Sequence, residues 1–303
     1  MQTLYSYKGS ESDDFSKDQK FLLFSISNMY NLYLLLISLL LEVRKRAEKD
    51  LLKKQQKHLA TAEDRDPNRK FINNQLLQLL SNNLELKHQL ESHKINNWEL
   101  DNEYVDVIFK AVRSSELYKD YMQTRVSDFK EDKQFVIDMF KEIIAPNDKL
   151  YEYIEDKNLT WLDDLPTVNT TILKLLRKAK ANSDPSHFVP KLYKEDEDKQ
   201  FAIDLFKKTL LNRSALNKEI DKKTKNWDAD RIADVDYTLL QMAICELQKF
   251  SSIPVKVTIN EYLEIAKEYS TPKSSIFING ILDKLVKEYN DSGALNKIGR
   301  GLL

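Results

Sequence analysis

Between residues 226 and 287, apolar side chains recur with a helical period in three successive stretches separated by short polar breaks. Ile232, Val235, Leu239, Met242, Ala243 and Leu247 form the first stripe, and a carboxylate at Asp228 or Asp230 is placed to cap that helix. It is expected to end ahead of Pro254. Proline disfavours helix at the residue before it, so a second helix is predicted from around Thr258 or Asn260, burying Ile259, Tyr262, Leu263, Ala266 and Tyr269. Ser270, Thr271 and Pro272 break it. A third helix is predicted over residues 274–289, with Phe277, Ile278, Ile281, Leu282, Leu285 and Val286 on one face. Gly280 lies inside it, at a cost of about 1 kcal/mol relative to alanine, which predicts close approach of another backbone or a ligand there.

Upstream, residues 21–43 are apolar enough to span a bilayer. Ser25, Ser27, Asn28, Asn31, Ser38 and Glu42 interrupt them largely on one side, and the pattern continues into a charged amphipathic extension over 44–58. That pattern fits a buried bundle helix. Residues 61–70 read as a loop, 71–81 and 104–120 as helices, and 84–97 as either. Residues 1–7 lack the basic and apolar regions of a secretory signal, so a cytoplasmic protein is expected.

An internal repeat organises the middle of the chain. Residues 131–141 (EDKQFVIDMFK) recur at 197–207 (EDKQFAIDLFK), differing only at Val136/Ala202 and Met139/Leu205. Trp161 and Trp227 follow at the same offset, and Val168-Asn169-Thr170-Thr171-Ile172-Leu173 mirrors Val235-Asp236-Tyr237-Thr238-Leu239-Leu240 after one extra residue. Two copies of a helix, turn, Trp and helix unit imply related packing, with Phe135, Ile137 and Phe140, and likewise Phe201, Ile203 and Phe206, among the core positions. Each tryptophan is expected to be buried with its indole N–H bonded. Residues 182–190, with two X-Pro pairs, are the expected linker.

Composition narrows the class. A chain of 303 residues with 42% hydrophobic residues, but only Gly 5 and Pro 7, favours long helices over sheets or glycine-rich nucleotide loops. An all-α fold of two packed helical bundles is predicted: 1–190 an extended helical region, 191–290 a helical module, 291–303 a flexible tail. The net charge of −1 leaves nucleic-acid binding to a local patch. The lone Cys245 excludes an internal disulfide and reads as a buried thiol. His58, His88, His93 and His187 have no ligand spacing, and phosphate-loop and nucleophile-elbow motifs are absent, so no metal, cofactor or catalysis is expected. Asp163-Asp164 and Asp234 with Asp236 read as helix-start acids and solvated faces.

Several residues carry a resemblance. Trp227, Asp230, Arg231, Asp236, Leu239, Leu240 and Glu246, then Ile253-Pro254, Val257, Ile259-Asn260-Glu261 and Ala266-Lys267, and finally 277–284 (FINGILDK), look like the signature of the bacterial antitermination factor NusB family. Residues 1–7 (MQTLYSY) resemble the second half of that family's first helix. The resemblance covers about the last third of the chain and says nothing about the enlarged section over 8–193.

It implies a non-enzymatic adaptor that pairs with NusE, a small-subunit ribosomal protein, and holds boxA RNA in an antitermination complex with RNA polymerase. Some relatives self-associate, so a homodimer is within the expectation. Carried over by position, the RNA side is Gln2, Tyr5, Lys273, Ser274 and Phe277, and the NusE side is Asp230 and Asp236. Tyr5 and Phe277 also suit core packing, and Asp230 also suits capping. A helical interaction scaffold without RNA binding is the alternative. Family members carry arginines ahead of the MQTLYSY-like helix; either the chain is shortened there, RNA affinity is weaker, or Arg44, Lys45, Arg46, Lys49, Lys53, Lys54 and Lys57 compensate.

Overall fold

The structure, a computed structural model, describes residues 1–7, 15–56, 61, 65–193, 195–224 and 232–302. Every regular element among them is helical: α1 (Gln2–Tyr7), α2 (Phe15–Gln55), α3 (Gln75–Ser81), α4 (Leu84–Ser92), α5 (Asn97–Leu100), α6 (Asn102–Ser114), α7 (Glu116–Tyr121), α8 (Phe129–Met139), α9 (Asp148–Lys157), α10 (Trp161–Lys178), α11 (Asp196–Leu211), α12 (Arg213–Lys223), α13 (Asp234–Lys249), α14 (Val255–Tyr269) and α15 (Ser274–Asp291). A π-helical turn follows α8 at Phe140–Ile144, and 3-10 turns lie at Pro185–Phe188 and Gly299–Leu302. The chain divides into two compact units, one of Met1–Leu23 with Tyr193–Leu303 and the other of Phe24–Leu192.

The Phe24–Leu192 unit is built around the second half of α2. Leu32 to Leu41 are buried without interruption, because the helices of this unit surround that segment. By length and composition α2 passes for a membrane span, yet half of its most apolar window (50%) is buried inside the structure. Trp98 Nε1 donates to Leu35 O at 3.0 Å, and Trp161 Nε1 to Asn28 O at 2.8 Å, so both indoles are satisfied against α2. Asparagine sets several boundaries. Asn74, Asn83 and Asn147 accept from the first-turn N–H groups of α3, α4 and α9.

Two caps and one buried ring correct three sequence expectations. Residues 71–73 form a turn rather than helix, because Asn74 takes N–H bonds from Leu76 and Leu77 and starts α3 there. The stretch 104–120 is two helices, broken where extended Ser115 caps α7 through Tyr118 N. The expected linker over 182–190 is packed: Phe188 is buried and Tyr33 OH donates to its carbonyl at 2.8 Å.

The other unit centres on α13. Asp236 and every residue from Thr238 to Leu247 are buried, because α1, α11, α12, α14 and α15 all pack on this one helix. Cys245 is among them, and burial pushes its thiol pKa up. The N-terminal cap expected at Asp228 or Asp230 and the indole of Trp227 lie outside the described residues. Ile232 precedes α13 instead of joining its stripe. Helix α14 starts directly after Pro254, earlier than expected, since proline's fixed φ suits the residue just ahead of a helix. Tyr269, expected in the core, is exposed at the C-terminal end of α14. The segment expected as a flexible tail folds back, with Ile298 N–H donating to Ser251 O and Lys297 Nζ to Phe250 O, both at 3.0 Å.

Candidate nucleic-acid interface

The turn between α14 and α15 is fixed by one buried carboxylate. Asp236, in the first turn of α13, is 5% exposed and accepts from Ser270 Oγ at 2.6 Å and Ser274 Oγ at 2.7 Å. Ser274 Oγ also lies 2.8 Å from Thr271 Oγ1 and 2.9 Å from Ser270 Oγ. Three hydroxyls and a carboxylate thus tie the break before α15 to the central helix. The position of Lys273 follows from that tie, because it is the residue just before α15, and it is exposed.

Two expected site residues are therefore internal. Ser274 and Asp236 were assigned by resemblance to opposite interfaces, RNA and protein, and the structure brings them together as donor and acceptor in the cage. Asp236 is not a solvated acid: it is buried, and among the described residues hydroxyl donors compensate its desolvation. Asp230 lies outside the described residues.

The remaining residues keep an outward component. On α1, Thr3 and Leu4 point inward, and Gln2 and Tyr5 are exposed, Tyr5 at 45%. Phe277 is half-buried against the same core cluster that holds Leu4, and so combines packing with an accessible edge. Lys273, Phe277, Gly280 and Lys284 are spaced by four, three and four residues, which puts them on one face of α15. Lys284, named above only within the family signature, joins the expected residues on this face. The close approach expected at Gly280 is not found among the described residues: a Cβ there would meet nothing within 4 Å. Asn279 Nδ2 donates to Asp283 Oδ2 at 3.1 Å, one turn on.

Two further buried polar clusters hold the helices in place. Glu246 of α13 accepts from Thr258 Oγ1 at 2.7 Å and Tyr262 OH at 3.0 Å, and burial raises its carboxyl pKa although these donors pull it back. Gln248 Nε2 donates to Glu219 Oε1 at 3.0 Å and Tyr289 OH at 2.9 Å, joining α12, α13 and α15. No group of His, Cys, Asp and Glu that could hold a metal ion occurs among the described residues.

The basic cluster on α2 is only partly paired with acids. Arg44 donates to Ile72 O, Lys45 pairs with Glu42, Arg46 with Asp106 and Asp50, and Lys54 with Asp50. Lys49 and Lys53 are exposed, and Lys57 lies outside the described residues.

A central buried helix, a clamped turn and an aromatic and basic edge beside it define an all-α module. A profile described as the NusB family matches residues 176–287. The transcription antitermination protein NusB of Salinibacter ruber is 46% identical over 111 residues, which cover 36% of this chain and 69% of that protein. The proteins of the same name from Chloroherpeton thalassium and Natranaerobius thermophilus are 38% and 40% identical over 129 and 91 residues, covering 42% and 30% of this chain and 61% and 66% of theirs. No solved structure gives a significant match. The chain belongs to the NusB family of transcription antitermination proteins.

Proposed function

We propose that this chain is a non-enzymatic, cytoplasmic RNA-binding adaptor that pairs with NusE, a small-subunit ribosomal protein. Together they hold boxA-type single-stranded RNA in an antitermination complex with RNA polymerase and support ribosomal RNA synthesis. The observation that best supports this is the face of α15, where exposed Lys273 and Lys284 flank the half-buried ring of Phe277. Unpaired bases bind by stacking on aromatic rings, and lysines beside them neutralise phosphate, which suits a chain with no overall basic field. Gln2 and Tyr5, exposed on α1, complete the RNA side in this reading. Ser274 and Asp236 act behind it, by holding the turn that carries Lys273.

Filter binding of boxA RNA with and without NusE tests the proposal. NusE is expected to raise RNA affinity. If NusE binds and RNA affinity stays the same, the adaptor reading fails, and a protein-interaction scaffold remains. Light scattering with and without NusE would reveal a homodimer that occupies the partner surface.

A further inference from the structure

The duplicated segment provides an internal template. Within each copy the inner side packs alike: Met139 and Phe140 in the first and Leu205 and Phe206 in the second are buried, with α8 against α10 and α11 against α13. Side-chain orientation is shared too. Gln134 Nε2 donates to Asp138 Oδ1 at 2.9 Å, and Gln200 Nε2 to Asp204 Oδ1 at 2.7 Å.

The outer sides differ. Phe135 of α8 is 3% exposed, stacked on Tyr121 at 3.9 Å between ring centroids and edge-on to Phe71 at 5.8 Å. Lys70 Nζ bonds Glu131 Oε1 at 2.5 Å and lies 4.3 Å from the centre of the Tyr121 ring. Helix α3, which follows Lys70 and Phe71, packs on α8, with Gln75 N–H donating to Asp132 Oδ2 at 2.7 Å. On α11 the counterpart of Phe135 is Phe201, 36% exposed and edge-on to Phe250 at 5.2 Å. Glu197, the counterpart of Glu131, is exposed. A hydrogen bond to Glu195 and the crowding of like charges around it raise the Glu197 carboxyl pKa, so a cation placed there would be stabilised.

We propose that the Phe201 face of α11 is a docking surface for a protein segment built like residues 70–81: a lysine, an adjoining aromatic ring and a short leucine-rich helix. The lysine pairs with Glu197, as Lys70 does with Glu131. The ring packs on Phe201, as Phe71 does on Phe135. Neither Glu197 nor Phe201 is among the residues assigned above to RNA.

The test uses a fluorescein-labelled peptide with the sequence of residues 68–82 (NRKFINNQLLQLLSN), titrated into the full chain and followed by anisotropy. Saturable binding is expected, weakened about tenfold by Phe201→Ala and by Glu197→Lys and unchanged by Leu159→Ala in the other unit. Both α11 positions are exposed, so circular dichroism should show folded variants. Absence of saturation up to about 1 mM would overturn the proposal. Equal binding to Phe201→Ala would do the same, since it would place the peptide elsewhere, including at the Phe135 face.

Discussion

Replacing Asp236 with alanine removes the acceptor that holds the α14–α15 turn. Hydrogen bonds to an ionised acceptor contribute about 1.5–3 kcal/mol each, and Asp236 receives one from Ser270 and one from Ser274. Two effects offset the loss. The hydroxyls of residues 270, 271 and 274 lie within 2.8–2.9 Å of a neighbour in the cage and can bond one another, and a buried charge no longer needs compensation. The net destabilisation is then about 2–3 kcal/mol, with about half of it for Asp236→Asn, which keeps one acceptor. Hydrogen exchange of residues 270–277 reads this locally, where global unfolding of a two-unit chain would blur it. Exchange there should accelerate by roughly 30- to 150-fold for the alanine variant. BoxA affinity should fall in parallel, because Lys273 and Phe277 hang on the turn. Unchanged exchange with lost NusE binding would refute the clamp and make Asp236 a partner contact.

Other consequences are as direct. Glu246 has a carboxyl pKa raised above 4.5, chiefly by burial, so its stabilising contribution is complete below that value and is lost as pH rises through the folded-state pKa. Melting temperature measured upward from pH 4.5 should therefore fall less steeply in Glu246→Gln than in the parent chain. Gly280→Ala adds a methyl group that meets nothing within 4 Å, so denaturation should show a gain of about 0.5–1 kcal/mol. Filter binding of the same variant should show weaker boxA binding if the strand approaches that face, with NusE affinity unchanged. Trp161→Phe loses the bond to Asn28 O and part of a buried ring, and should destabilise the Phe24–Leu192 unit by about 1–2 kcal/mol in a denaturant titration.

Helix existence was legible where burial is one-sided. The stripe Ile278, Ile281, Leu282 and Leu285 lies in the core as its period requires, whereas the apolar run of α2 is internal only in its second half, with Phe21 and Phe24 exposed. Boundaries were less legible, because single residues decide them: Asn74 and Pro254 each moved a helix start by a few residues, and Ser115 split one helix into two. The repeat misled at Phe201. Identical residues predict identical inner faces, but whether the outer face is covered depends on residues 70–81 and 116–121, which lie beside only one copy.

The sequence by itself determined the all-helical class, the family signature and the duplicated segment, since each rests on residue types at fixed spacing along the chain. Only the tertiary structure decided that Ser274 and Asp236 are one buried cage and that Lys45, Arg46 and Lys54 of α2 are ion-paired. The cage depends on partners far away in sequence, where a carboxylate and a hydroxyl 38 positions apart meet at 2.7 Å because the core brings their helices together.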